Sequence, residues 1–590
     1  MIKLKIDGEK LEVREGTTIL EAAKKIGIKI PTLCYLKDIN EEGACRVCLV
    51  KVEGDPMLRP SCISPVEEGM EVKTSTPEVI KARKEMIELL LSDHPADCLS
   101  CIANQNCELQ SLAKEYDIRE VKYRGEKREL PIDDLSPSIV RDPNKCILCR
   151  RCVNVCKEVV TASIYEINER GFNSFAAPAM NDSYIDTPCT YCGQCILACP
   201  TGALHEKRED SELVWEALAD EKKHVVIQTA PAIRATLGEV FNMPIGSLVT
   251  GKVVAALKKL GFDKVFDDCF GADVVVMEEG EEFIHRLKEK KRLPQFTSCC
   301  PGWVKFAENF YPELLPHLST VRSPQQVFGA LSKTYYAEQA GIDPENIFCV
   351  STMPCIAKKF EARRPEMKVR DLQAVDAVLT TRELGQMIRQ AGIDLKKMPN
   401  KSYDEPMGYA SGAGVIFGAG GGVMEATLRT VYERLTGEKM KEVQYKAIRG
   451  DSYKELEVEI KGEKLRFAVA RGLGNARHLI DRVLRGEVEY HLVEIMACPS
   501  GCVGGGGQPI YSNQDEWYMQ VEAGNKRGEA LFLADENKKV RTAHENPWIK
   551  KLYNEFLGEA MGELSRELFH SSYIKRPLYS KKAHKLKNKS

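Results

Sequence analysis

The sequence predicts a series of small α+β modules followed by one large α/β domain, and three observations predict it. Cysteines crowd the first 209 residues at short, regular spacings. From about Lys222 the texture changes to short apolar strands alternating with amphipathic helices. The length of 590 residues suits about four domains, each able to bury a core. The expected units are 1–78, 79–125, 126–209 and 210–590.

Bulk properties narrow the function. A net charge of -2, with both signs spread along the chain, gives no nucleic-acid or membrane footprint. The basic end "KKAHKLKNKS" reads as a solvated tail. "MIKLKIDGEKLEV" carries charges where a signal peptide needs an apolar stretch, and no apolar run approaches a membrane span, so the cytoplasm is the expected location. Twenty-two cysteines in such a chain point to metal rather than disulfides.

The elements follow in order. "IKLKIDGEKLEV" alternates around Asp7-Gly8 as a hairpin, and "TTILEAAKKIG" follows as a short helix closed by Gly27. This ββα start resembles the β-grasp ferredoxin fold. Cys34, Cys45, Cys48 and Cys62 come next, spaced C-x10-C-x2-C-x13-C. Four thiolates there suit a [2Fe-2S] cluster, although the first gap is longer than in plant-type ferredoxins. "HPADCLSCIANQNC" offers Cys98, Cys101 and Cys107, and His94 is the nearest residue able to complete a [4Fe-4S] site. Two matching runs follow, Cys146, Cys149, Cys152, Cys156 and Cys189, Cys192, Cys195, Cys199. This is the spacing of bacterial two-cluster ferredoxins, in which the fourth cysteine of each run serves the other cluster. Cys199 is thus expected with Cys146, Cys149 and Cys152, and Cys156 with Cys189, Cys192 and Cys195. Such clusters carry electrons one at a time and imply a catalytic end.

In the large domain "HVVIQ", "KVFDD", "NIFCV" and "DAVLT" read as strands, and "ATLGEVF", "TGKVVAALKKLG" and "TRELGQMIRQAG" as helices. Three cysteine loops follow apolar strand-like runs: "PQFTSCCPGW", "FCVSTMPCIAKKF" and "LVEIMACPSGCVGGGGQP". Ligand sites in α/β sheets lie beyond the carboxyl ends of strands, so Cys300, Cys355, Cys498 and Cys502 are expected to converge. Cys299 adjoins Cys300 and on an extended chain points the other way. The Gly-rich stretches "SGAGVIFGAGGG" and "CVGGGGQP" are expected to let backbone approach a bulky cluster.

These three loops resemble the signature motifs of the iron-only, or [FeFe], hydrogenases, and the order of the N-terminal cysteine sites resembles their long clostridial type. The resemblance covers nearly the whole chain. It implies reversible H2 oxidation and proton reduction, with electrons relayed through one [2Fe-2S] and three accessory [4Fe-4S] clusters. It implies an H-cluster in a catalytic H-domain that ends in a small-subunit-like segment. That cofactor is a [4Fe-4S] cube on Cys300, Cys355, Cys498 and Cys502, joined through Cys502 to a two-iron centre with CO, CN⁻ and azadithiolate ligands. Lys358 matches the lysine that bonds a cyanide, and Pro231, Ala232, Gln325, Met353 and Met496 match further pocket positions. Ala232 stands where some relatives have serine. The resemblance also implies a proton route from Cys299 through Glu279, Ser319 and Glu282 to Arg286 near the surface. The helical stretch "MEEGEEFIHRL" puts Glu279 and Glu282 on one face with Arg286 one turn on; the alternative for this helix is a charged, solvated face. Implied partners are H2 and protons, maturation factors, and either ferredoxin or a flavoprotein NAD(P)-linked subunit.

Two near-motifs read as turns and helix starts. "GSLVTGKV" lacks the hydroxyl of a P-loop at Val253, and "GLGNAR" lacks the third glycine of a dinucleotide fingerprint. Two rival readings are an electron-wiring subunit of the respiratory complex I type and a hydrogenase-like iron–sulfur assembly factor. The C-terminal cysteine contexts argue against the first, and Cys299 with the long N-terminal series against the second. Of the remaining cysteines, Cys349 reads as a core residue and Cys269 has no assigned role.

Overall fold

The computed structural model describes residues 1–440, 446–448, 453–510 and 517–579; the basic run at the C-terminus lies outside the described residues. Strands Ile2–Ile6 and Glu9–Val13 pair antiparallel with Ile6 opposite Glu9. Asp7 at φ 48° and Gly8 at φ 91° make the turn, the two positive φ values a tight hairpin needs. Helix Ile19–Lys25 starts on a capping box of Thr18 and Glu21, so local sequence fixes its first turn. A five-stranded sheet closes this module over Leu4, Ile6, Leu20, Val50 and Val72.

Helix Pro77–Ser92 follows, with Thr76 as its cap and Pro77 in its first turn. Two short antiparallel ladders, Ile139–Arg141 with Leu204–Glu206 and Tyr165–Asn168 with Phe175–Pro178, frame the paired cysteine runs.

Among the described residues the large domain holds two main sheets beside a two-stranded ladder of Lys368–Val369 with Leu372–Gln373. In the first, all parallel, Lys264–Asp267, His224–Thr229, Ile347–Met353 and Ala377–Thr380 lie in that order. The chain leaves His224–Thr229 to one side and returns on the other, which opens a crevice at the carboxyl ends of that strand and Ile347–Met353. The second sheet runs Gln295–Phe296, Leu492–Met496, Glu463–Arg471, Tyr453–Ile460, Lys446–Ile448. Cys355 therefore leaves one sheet, and Cys300 and Cys498 leave the other. Strand identity was legible from apolar runs; sheet membership depends on long-range pairing, which those runs do not encode.

Helix Cys269–Glu289 turns Glu279, Glu282 and Arg286 inward, at 1%, 5% and 7% exposed, which sets aside the alternative of a charged, solvated face for them. The glycine-rich stretches pack closely against neighbouring backbone and side chains. A Cβ on Gly414 would stand 2.2 Å from the Cys269 carbonyl oxygen, and one on Gly505 2.3 Å from that of Pro354. Of these glycines only Gly418 lines the central cavity. Val249 precedes helix Thr250–Leu260, and Gly472 precedes Leu473–Leu484, so both near-motifs are helix starts. Among the described residues no helix is long and apolar enough to cross a membrane.

Candidate functional site

A cavity of about 490 Å³ lies where the two sheets meet. Its walls include Pro231 and Ala232 after the His224 strand, Met353, Cys355 and Lys358 after the Ile347 strand, and Cys299, Gln325, Met496 and Cys502. Every pocket position expected from the sequence is thus on one surface. Cys300 and Cys498 are buried, and close enough to Cys355 and Cys502 for their charges to interact. Burial raises the Cys355, Cys498 and Cys502 thiols, and the other thiols of the set raise them further. Among the described residues no three His, Cys, Asp or Glu donors close on a single ion. Four thiols spread around a space suit instead a cluster that brings its own sulfides, and soft thiolate donors suit iron.

The N-terminal sites test the same idea. A cavity of about 450 Å³ is lined by Cys146, Cys149, Cys152 and Cys199. A second, of about 300 Å³, is lined by Cys156, Cys189, Cys192 and Cys195. The fourth cysteine of each run stands with the other run's three. In the first module the Cys48 and Cys62 sulfurs are 3.3 Å apart, and Cys34 faces Cys45 and Cys62. His94 is 8% exposed, with Nδ1 against the Pro95 carbonyl at 3.0 Å. Its Nε2 is buried without a hydrogen-bond partner among the described residues, a free nitrogen of the kind a ligand uses. Cys107 lies near Cys101, whereas Cys98 is on the surface.

The modules interlock. Asn40 Nδ2 donates to the carbonyls of Cys34 and Cys149, at 2.6 and 3.0 Å. Gln194 Nε2 donates to Gly504 O at 3.2 Å, and Cys192 lies close enough to Cys498 and Cys300 to repel their charged forms or be repelled by them.

Lys358 Nζ donates to Glu361 at 2.8 Å and to the Cys299 carbonyl at 3.1 Å. Burial pulls this ammonium down, but Glu361 outweighs it and holds the group above its usual range. Cys299 is pushed well up, first by burial and then by Glu279. Glu279 itself rises to about 8 through burial and the charge of Glu282, so a proton resides there at neutral pH. Ser319 Oγ donates to Glu282 Oε2 at 2.7 Å, and Arg286 donates to Glu282 at 2.7 Å. Arg286 was expected near the surface. It is buried because its guanidinium also satisfies the carbonyls of His317 and Leu318, at 2.9 and 2.8 Å.

Sequence reasoning missed several polar residues. Asp268 lines the cavity at the end of the "KVFDD" strand, raised to about 7 chiefly by burial. Its place at a carboxyl end was the available signal. Glu494, raised to about 7 by burial, accepts from the Gly421 and Met424 amides at 2.7 Å. Cys269, left without a role, receives a bond of 2.9 Å from Arg234 Nη2. Cys349 is a fully buried core residue.

Comparison with known proteins agrees with this architecture. Residues 223–506 match the family described as iron only hydrogenase large subunit, C-terminal domain, and 521–576 the iron hydrogenase small subunit. Residues 1–77 match a 2Fe-2S iron-sulfur cluster binding domain, 83–122 the NADH-ubiquinone oxidoreductase-G iron-sulfur binding region, and 145–203 a 4Fe-4S dicluster domain. The NADP-reducing hydrogenase subunit HndD of Solidesulfovibrio fructosivorans is 49% identical over 591 residues, covering 98% of this chain and 99% of that protein. Iron hydrogenase 1 of Clostridium pasteurianum is 42% identical, covering 97% and 99%. The solved structure of apo [FeFe]-hydrogenase HydA1 from Chlamydomonas reinhardtii shares 41% identity, with a TM-score of 0.55 over 62% of this chain and 99% of its own. A cavity walled by cysteines from two sheets, iron–sulfur modules ahead of it and near-complete coverage by such relatives together make this chain a member of the [FeFe]-hydrogenases, of the clostridial type.

Proposed function

We propose that this hydrogenase runs 2H⁺ + 2e⁻ ⇌ H2 in the central cavity, with the four C-terminal thiols holding an H-cluster and the 15 other assigned cysteines and His94 divided as the spacing suggests. One [2Fe-2S] and three [4Fe-4S] clusters, on Cys34/45/48/62, His94 with Cys98/101/107, and the two crossed ferredoxin-like sets, carry electrons between surface and cavity. The units 1–78, 79–125, 126–209 and 210–590 correspond to this division of labour.

When bound, the H-cluster supplies the redox chemistry of H2 formation and cleavage. The protein supplies the rest. Pro231, Met353 and Met496 give the cavity apolar walls that exclude water. Lys358, fixed by Glu361, presents a positive donor to an anionic ligand such as cyanide. Cys299, with its thiol beside Glu279, exchanges a proton with that carboxyl, and Ser319 links Glu279 to Glu282.

The observation that carries this reading is the union of Cys299, Lys358, Cys355 and Cys502 on one cavity surface. Infrared spectroscopy tests it. Protein matured with its assembly factors should show CO and CN⁻ bands and evolve H2, and protein made without them should show neither. Matured protein without bands would support the assembly-factor reading.

A second reading concerns the partner. HndD is named as a subunit of an NADP-reducing hydrogenase, and both nucleotide near-motifs here are helix starts. Nicotinamide chemistry then belongs to a flavoprotein subunit, against the alternative of soluble ferredoxin. Co-purification from the native host separates the two.

A further inference from the structure

Arg286 stands at the outer end of the series through Glu279, Ser319 and Glu282, yet a guanidinium gives up no proton in a protein. Its four hydrogen bonds go to Glu282 and three backbone carbonyls. Arg286 therefore fixes Glu282, and the proton must reach that carboxylate from another group.

A second chain of hydrogen bonds ends on the same carboxylate. Thr320 Oγ1 is 3.1 Å from Glu282 Oε1, and His570 Nδ1 is 2.8 Å from Thr320 Oγ1. On its other side His570 Nε2 is 3.2 Å from Glu278 Oε2. Glu278 also accepts from Tyr553 OH at 2.6 Å, the Met561 amide at 2.7 Å and Ser565 Oγ at 3.2 Å. Glu282 accepts in addition from Ser319 and from the Thr320 amide at 3.0 Å. Each carboxylate thus accepts from several donors at once.

Counting hydrogens gives the arrangement from which a proton can move. With the single Thr320 hydroxyl hydrogen on Glu282, Thr320 Oγ1 accepts from His570 Nδ1–H, and Glu278 accepts from Nε2–H. In that arrangement both ring nitrogens donate, and the ring bridges the two carboxylates, Glu278 directly and Glu282 through Thr320. Its placement is built into the fold: Arg322 N donates to Phe569 O at 2.7 Å, Ser571 N to Thr320 O at 2.8 Å, and Arg322 Nε to His570 O at 3.1 Å. The charged and titratable groups facing it are Glu278 and Glu282 from one helix, Tyr553 through Glu278, and Arg286 and Arg322. The His570 side chain keeps 10% exposure, while Glu278 has none.

From this geometry we infer that His570 loads protons onto the catalytic route through Thr320 and Glu282. The inference rests on the reading that Glu279 and Glu282 carry protons to the cavity. In the step, His570 Nδ1–H passes its proton to Thr320 Oγ1 as the Thr320 hydroxyl hydrogen moves to Glu282 Oε1. One proton leaves the ring, one arrives on the carboxylate, and no electron moves. The neutral ring keeps Nε2–H on Glu278 and is recharged from water at its exposed edge. The C-terminal segment thereby contributes a working residue as well as packing.

The test uses the full, matured enzyme with its CO and CN⁻ infrared bands verified in every variant. His570→Gln and Thr320→Val should each lose about tenfold or more of H2 evolution, a typical loss for a displaced proton-transfer group. The alkaline limb of the pH–rate profile should shift or vanish and the solvent isotope effect should rise. Added imidazole should restore part of the rate in His570→Ala. Thr320→Val leaves the His570–Glu278 pair in place and so covers a ring variant that fails to fold. A normal rate, pH profile and isotope effect in either His570→Gln or Thr320→Val overturns the role of His570. Wild-type turnover in Glu282→Gln overturns the relay reading itself, a distinct result.

Discussion

Cys299 and Cys300 are adjacent in the chain and belong to two different cores. Cys299 packs against the core of the His224–Thr229 sheet and lines the cavity. Cys300 is buried in the core that the catalytic domain shares with Cys189, Cys192 and Cys195 of the ferredoxin-like module. Cys300, at φ -98° and ψ 105°, is extended, so alternation turns the two side chains apart. One thiol faces the cavity and the other the ferredoxin-like module.

Their substitutions should therefore fail differently. Cys299→Ala is expected to keep the CO and CN⁻ bands and lose about a hundredfold or more of turnover, the scale of a removed acid–base group. Cys300→Ala is expected to lose the bands, because the cofactor is no longer held. Infrared spectra beside H2 assays decide the matter; normal turnover in Cys299→Ala would remove it from the route.

Glu279 makes stability depend on pH. Unfolded, it titrates near its ordinary 4.5; folded, at about 8. Between those values the folded state keeps a proton that the unfolded state releases, so this residue's contribution to stability falls as pH rises from 4.5 to 8. Glu279→Gln should lose turnover yet gain in melting temperature relative to the parent as pH is raised across that window. A constant gap between the two melting curves would contradict the buried, raised carboxyl.

The crossed cysteine runs predict crossed damage. Cys199→Ser should perturb the cluster of Cys146, Cys149 and Cys152, and Cys156→Ser that of Cys189, Cys192 and Cys195, because these groups share cavities. Electron paramagnetic resonance of the reduced protein should show one altered cluster in each variant, on the side opposite in sequence. Damage confined to each residue's own run would refute the pairing.

His94→Ala should remove or alter the signal of one [4Fe-4S] cluster and leave the H-cluster bands intact, since His94 Nε2 is a buried nitrogen with no hydrogen-bond partner among the described residues. Activity with a protein electron donor should fall more than activity with a small dye that reaches other clusters. Equal losses with both donors would give His94 a structural part.

The cysteine spacings by themselves grouped the thiols into candidate iron–sulfur sites, because ligand spacing is a local property that a sequence displays. Asp7-Gly8 and the Thr18/Glu21 capping box were legible for the same reason: each is settled within a few residues. Only tertiary structure decided the rest. It split the cysteine loops between two sheets, since strand pairing joins residues far apart in sequence, such as Phe296 and Val493. It turned the charged helix inward, where burial raises Glu279, a result that helical periodicity could not separate from a solvated face. It also brought His570 against Thr320 across 250 positions of chain. No local pattern encodes that contact, because it exists only once the C-terminal segment has docked on the core.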